Sequence, residues 1–167
     1  MRTLNVYIYG TPIGILFENS LGHLEFQYNN FAYPLSVRMP VRKEIYEDAY
    51  AEPFFDNLIP EGDALSIIAT KFHISKDNTF SILKQIGGDC AGAISLYPTD
   101  IHPHIDEVSK EIDNGSLSKI IDELPINPLL TGLENAPRLS LAGAQSKFAV
   151  YKDADGKYYR SDDTHPT

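Results

Sequence analysis

The sequence is short of cysteine, of basic charge and of long apolar runs, and each shortage removes a class of protein. Cys90 is the only cysteine among 167 residues, so no disulfide can close within the chain, as fits a reducing cytosol. It sits in a Gly/Ala-rich stretch with no base beside it, the setting of a small buried side chain rather than a nucleophile. No apolar run approaches the roughly 18 residues of a membrane span, and Met1 to Tyr7 soon alternates polar and apolar residues without a leader-type apolar core. The expectation is a cytoplasmic protein without membrane contact. Lys and Arg number 14 against 23 Asp and Glu, a net charge of -9. Such a surface does not wrap nucleic acid unaided, although it leaves room for a basic partner such as a DNA-binding subunit. Internal repeats and low-complexity tracts are also missing.

Catalytic constellations are equally scarce. The neighbouring carboxylates Glu47/Asp48 and Asp162/Asp163 point in different directions, which does not suit general acid/base work. His102-Pro103-His104 has a proline between its imidazoles and no cysteine nearby, so it reads as linker rather than metal site. His23, the first residue of an alternating strand, reads as an edge or surface histidine.

What is present is a normal soluble composition, with 43% hydrophobic and 22% charged residues, enough for one domain or two small ones. Leu4–Tyr9, Ile13–Glu18 and His23–Tyr28 alternate as half-buried strands and predict a three-stranded antiparallel meander. Leu35–Met39 reads as a further strand closed by Pro40, and Arg42–Asp48 as a solvated connector. Phe54, Phe55, Leu58 and Ile59 recur at helical spacing until Pro60, with Asp56 or Asn57 capping or pairing locally. Leu65, Ile68, Ala69 and Phe72 form the stripe of one helix, with His73 as a cation at its C-terminal end. Asp77 or Asn78 caps the next helix, carrying Phe80, Leu83 and Ile86, and Gly87-Gly88 ends it. Ala93–Tyr97 is then a buried strand, with Gly92 allowing close passage beneath the helices. After the boundary at Thr99–Asp106, Ser116 caps a helix carrying Leu117, Ile120, Ile121 and Leu124. Asp153–Gly156 turns a hairpin between Phe148–Tyr151 and Lys157–Arg160, and Ser161–Thr167 is polar and loose.

The chemistry gathers in Arg138-Leu139-Ser140-Leu141-Ala142-Gly143-Ala144-Gln145-Ser146-Lys147. Small residues let a backbone approach a ligand, and successive N–H groups in a tight loop form a concavity for anions. A lysine at the exit adds a point charge for phosphate. Spacing alone equally allows a plain β-turn.

Read as a pattern, this stretch resembles the phosphate loop of the HipA-like serine/threonine kinases, the toxin halves of bacterial toxin–antitoxin pairs. Phe54-Phe55-Asp56-Asn57-Leu58-Ile59-Pro60-Glu61 and Ile86-Gly87-Gly88-Asp89-Cys90-Ala91-Gly92-Ala93-Ile94 resemble two further signatures of that family, in the same order. The resemblance implies an α+β fold: a small antiparallel sheet with helices on one side over residues 1–105, followed by a partial, mainly β nucleotide-lobe segment over 106–167. It implies that Ala142, Gly143, Ala144, Gln145, Ser146 and Lys147 face the phosphates of ATP with Mg2+, and that Ser140 is an autophosphorylation site. It implies as partners a HipB-like helix-turn-helix antitoxin, through which alone DNA is bound, the remaining kinase lobe, and a protein substrate.

Phosphoryl transfer also needs a strand cation on the phosphates, a carboxylate that orients the hydroxyl, and groups that hold magnesium. In such kinases the strand lysine follows the hairpin after the phosphate loop, and this sequence stops at Thr167 just before it. With the catalytic Asp and the metal-binding Asp also missing, the expectation is no catalytic residue in this chain and no activity of this chain alone. Two readings follow: the N-terminal part of a protein kinase, or a non-catalytic antitoxin-like module that binds a HipA-type kinase or its DNA-binding partner. An unrelated α/β domain with a coincidental loop is the third.

Overall fold

The computed structural model describes residues 1–90, 93–101, 111–127, 147–148 and 150–160. The meander is present as β1 (Arg2–Ile8), β2 (Thr11–Glu18) and β3 (Leu24–Tyr28), all antiparallel. A fourth strand, β4 (Ile94–Pro98), joins the free edge of β1 and completes the order β3-β2-β1-β4. Leu4, Val6 and Ile8 share one face of β1 because strand side chains alternate. They enter a single buried cluster with Leu16, Phe26 and Leu96 from the other strands. The β1/β2 register slips between Val6 and Tyr7, opposite Pro12. A proline cannot donate to the ladder, and strands place the irregularity where it sits.

Three helices cover that face: α1 (Asp48–Asp56), α2 (Gly62–Phe72) and α3 (Thr79–Ile86). Their buried side chains, among them Phe55, Ile68, Ile82 and Leu83, belong to the same cluster as the sheet. The architecture is α+β, as expected, with helices on one side of a small antiparallel sheet. Asn78, not Asp77, caps α3, its side chain accepting from the Ser81 N–H at 2.8 Å. His73 closes α2 with its backbone in the left-handed region (φ 55°), its N–H turned back to the carbonyls of Ala69 and Thr70. Its ring is exposed.

Two expectations between β3 and α1 are corrected. Leu35–Met39 is not a strand but the approach to a tight turn, in which the Met39 N–H donates to the Ser36 carbonyl at 3.1 Å. Alternation alone could not reveal that this segment has no strand beside it to pair with. Nor is Arg42–Asp48 merely solvated: Tyr46 is 1% exposed and bridges Phe26 by reciprocal backbone bonds of 2.9 and 2.7 Å. Asp48 starts α1 and its carboxylate accepts the Leu24 N–H at 2.7 Å, tying helix to sheet.

The buried Tyr28 hydroxyl organises this excursion. It accepts the Leu35 N–H at 2.7 Å and donates to the Met39 carbonyl at 2.6 Å, clipping both ends of the turn. Burial pushes its pKa above the ordinary tyrosine value. Tyr28→Phe is expected to destabilise the protein by about 2 kcal/mol or more, because a buried N–H and a buried carbonyl lose their partner together. Urea denaturation of the two proteins measures this directly.

A second, smaller cluster contains Ile112, Ile120 and Leu124, with Leu117, Phe148, Val150 and Tyr158 packed on it. It is built from β5 (Glu111–Ile112), α4 (Asn114–Glu123), β6 (Val150–Lys152) and β7 (Tyr158–Arg160), with strand order β5-β7-β6. The cap of α4 is Asp113 rather than Ser116. The Asp113 carboxylate accepts the Gly115 and Ser116 N–H groups at 2.8 and 3.0 Å and the Ser116 hydroxyl at 2.6 Å. These bonds, the Ser116 hydroxyl's first, hold its pKa below the ordinary aspartate value. Ile121, expected on the buried stripe, is 55% exposed.

Candidate functional site

The three signatures divide by what they do. The first is the end of α1 and the turn after it. Phe55 is fully buried and meets Phe26 at 5.7 Å and Phe54 at 5.2 Å between ring centroids. Pro53 lies inside α1 and Asn57 returns its side-chain amide to the Pro53 carbonyl at 2.6 Å. Asp56 does not pair locally: its carboxylate accepts the hydroxyl of Thr79, the first residue of α3, at 2.7 Å. The Phe-Phe-Asp-Asn motif is therefore an anchor and a helix–helix clamp, with no reacting group.

The second signature is a close approach. α3 runs into a 3-10 turn over Gly87–Asp89, and Gly87 is an ordinary right-handed residue, φ -63°. Its lack of a side chain matters for packing rather than for conformation. A Cβ on Gly87 would lie 2.9 Å from the Leu96 Cβ and 3.1 Å from the Leu96 carbonyl oxygen. Gly88 meets the Tyr97 ring, whose hydroxyl donates to the Gly88 carbonyl at 3.3 Å. The pair of glycines thus lays the end of α3 on β4, and Cys90 beside them is 2% exposed, a small buried side chain as expected. Gly92 lies outside the described residues.

The third signature is the one expected to carry chemistry. Arg138, Ser140, Ala142, Gly143, Ala144, Gln145 and Ser146 lie outside the described residues, as does His102-Pro103-His104. Lys147 is described and exposed. The chain after it is held: Phe148 and Val150 pack on the second cluster, and β6 pairs with β7 through Tyr151↔Tyr159. Asp153 shapes the hairpin turn by accepting the N–H groups of Lys157 and Asp155 at 2.8 and 3.0 Å. The Lys157 bond, then the Tyr159 hydroxyl and the Asp155 N–H, hold the Asp153 carboxyl below its ordinary pKa. Lys157 pairs with Glu111 at 3.1 Å, which raises its own pKa. Gly156, at φ +83°, takes the left-handed position of the turn. Lys147 is thus an exposed cation directly before Phe148, which packs on the second cluster.

Among the described residues no group of three or more His, Cys, Asp or Glu could hold a metal ion, and no helix is long and apolar enough to cross a membrane. Sequence reasoning missed Tyr46 and Arg42, and it placed Tyr28 on the shared face of Leu24 and Phe26 without its hydroxyl bonds. Arg42 lays its guanidinium over the Tyr46 ring, 3.6 Å from the centroid, and donates to the Ile45 carbonyl at 3.0 Å. Only the alternation of β3 hinted at Tyr28, and nothing in the charged run around Tyr46 marked it as core.

Comparison with known proteins places these features in a family. Residues 4–97 match the HipA N-terminal domain family. A Sinorhizobium fredii protein named "Putative kinase Y4mE" is 36% identical over 158 residues, 88% of this chain and 37% of its own length. The serine/threonine-protein kinase toxin HipA of Shewanella oneidensis is 28% identical over 140 residues, 77% of this chain and 29% of its own. An uncharacterized protein of Haemophilus influenzae is 28% identical over 97 residues, which are 58% of this chain but 92% of that protein. Among solved structures, HipA in complex with HipB and its operator DNA from Shewanella oneidensis superposes with a TM-score of 0.65 over 98% of this chain and 39% of that one, at 23% identity. The chain spans less than two fifths of the length of the two kinase-named relatives. With more than half of its residues in that domain match, the chain belongs to the HipA family, and residues 4–97 are its N-terminal domain.

Proposed function

We propose that these 167 residues are the N-terminal part of a HipA-like protein serine/threonine kinase of a toxin–antitoxin module, with units at 1–105 and 106–167. One observation carries the reading: the similarity to the kinase-named relative runs over 88% of the chain, well past the N-terminal domain. In the full-length protein, Ala142–Lys147 face the ATP phosphates with Mg2+, through backbone N–H groups and the Lys147 ammonium. ATP then phosphorylates a protein serine, using a strand lysine, a catalytic Asp and a metal-binding Asp supplied beyond Thr167. This chain alone is inactive and binds nucleotide weakly. The partner is a HipB-type helix-turn-helix antitoxin, in keeping with the HipA–HipB–DNA assembly of the structural relative, and the compartment is the cytoplasm.

The gene beyond codon 167 tests this. An open frame that continues with a strand lysine and a helical lobe supports the kinase reading; a stop codon sinks it. Ser140 is the proposed off-switch, since phosphorylation adds about -1.5 to -2 charge beside a loop that holds other phosphates. It also offers Arg138 a new partner. Ser140→Asp in the full-length protein is expected to weaken ATP binding by roughly tenfold or more through like-charge repulsion. Calorimetry with ATP and magnesium reads the change, and undiminished affinity would rule the switch out.

A second reading has its own support. The Haemophilus influenzae relative is matched over 92% of its length, so a unit of this kind occurs as nearly a whole polypeptide. On that reading the chain is a non-catalytic, antitoxin-like module that docks on a HipA-type kinase or its DNA-binding partner. The stop codon that sinks the first reading favours this one.

A further inference from the structure

The turn between β1 and β2 is made with a residue that folding does not favour there. Tyr9 and Gly10 both have positive φ, 48° and 71°, the handedness of a two-residue hairpin turn whose first place suits Asn, Asp or Gly. A bulky aromatic at that place is strained. The Tyr9 ring gains little burial in return, being 61% exposed. It stands edge-on to Tyr33, with centroids 6.3 Å apart and planes at 74°, and Tyr33 is itself 44% exposed. Strain that purchases no packing points to a ring held out for something else.

The segment that delivers Tyr33 is fastened at several points. The Asn29 and Asn30 N–H groups both reach the Ile13 carbonyl, at 3.0 and 3.2 Å. The Tyr28 hydroxyl then clips Leu35 and Met39. The Ser36–Met39 turn between those clips raises Val37, 98% exposed, together with Arg38, also exposed. Little conformational entropy remains to be lost there on binding, which favours association.

Charge identifies the partner. In a chain of net charge -9, every charged residue from Phe26 to Lys43 is a cation: Arg38, Arg42 and Lys43. None of the three forms an ion pair with a carboxylate among the described residues. The Arg42 Nε is buried without a hydrogen-bond partner there. From Glu44 to Asp63 every charged residue is an acid. A nucleic acid, with phosphates every few ångströms, would be repelled by that acidic run. A short acidic polypeptide that ends at the basic segment would not.

We propose that Tyr9, Tyr33 and the Val37–Arg38 tip form a docking surface for an acidic polypeptide segment that also carries large apolar side chains. The two rings and Val37 take the apolar side chains, and Arg38 with Lys43 takes the carboxylates. Tyrosine and arginine are the residue types that dominate such contacts. The proposal stands on these residues alone and does not depend on the kinase reading.

The test is fluorescence anisotropy of the whole chain with a short labelled peptide of Glu and Asp interspersed with Leu and Phe, at physiological ionic strength. The controls are the same peptide with Lys for every acid, a proline-rich peptide, and a single-stranded oligonucleotide. The acidic peptide is expected to bind in preference to all three. Binding should weaken at least tenfold in Tyr9→Asn and in Arg38→Glu, or about 1.4 kcal/mol. Tyr9→Asn should also unfold at a higher temperature than the parent, because Asn suits the turn, while Arg38→Glu unfolds at the parent temperature. Tyr33→Ser, which leaves the turn alone, should lose binding as well. Preference for any control, no binding of the acidic peptide, unchanged binding by Tyr9→Asn, or a Tyr9→Asn midpoint no higher than the parent's would each overturn the proposal.

Discussion

Phe55→Ala is expected to destabilise the N-terminal domain by about 3–5 kcal/mol, the range for emptying a buried aromatic site. The side chain is completely buried. It touches Phe26 from the sheet and Phe54 from its own helix, so neither layer can collapse into the space without moving the other. In a domain of this size the thermal midpoint should fall by roughly 15–30 °C, while the urea m-value stays unchanged if only the native state is affected. Phe54→Ala is the internal comparison. Phe54 is only partly buried, and its loss should cost clearly less. Equal effects of the two substitutions would mean that Phe55 is not the anchor of the motif.

Gly14→Ala is expected to be nearly as damaging, about 3 kcal/mol, although it adds a single methyl group. Gly14 lies in the middle of the sheet, opposite Val6 on one side and Tyr28 on the other. A Cβ there would stand 2.4 Å from the Gln27 carbonyl oxygen and 2.5 Å from the Phe26 Cζ. The carbonyl is part of the β-ladder and the ring is part of the core, so both would have to shift. Gly22→Ala makes the contrast. Gly22 has φ +85° with open space around its Cβ position, and its replacement costs only the left-handed backbone, about 1 kcal/mol. Thermal unfolding of both variants separates the two causes. A Gly14→Ala protein as stable as Gly22→Ala would contradict the packing account.

Both substitutions concern parts of the sequence that looked different before the fold was known. The phenylalanine pair was legible as an aromatic anchor from helical spacing alone. The reach of Asp56 to Thr79 was not, because 23 positions separate them and nothing local pairs them. Gly14 carried no signal at all: a glycine in an alternating strand reads as weak strand propensity, and only the Phe26 ring lying across it shows why a side chain is excluded. Gly87-Gly88 reads as a helix stop, and so it is, but through contact with Leu96 and Tyr97 rather than through a left-handed turn.

The meander, the helical stripes of α2 and α3, the Asp153–Gly156 hairpin and the ordered signatures of the HipA family are legible in the order of residues alone. Each of these rests on a period or a turn residue within a few positions, and such local preferences survive whatever else the chain does. The rest follows from packing between distant segments. That packing placed β4 against β1, buried Tyr46 within a charged run, turned Leu35–Met39 into a clipped tip and held Tyr9 in a strained turn. These outcomes depend on which distant backbone lies within hydrogen-bonding or van der Waals reach, a choice made by the packed core as a whole and written in no single stretch of residues.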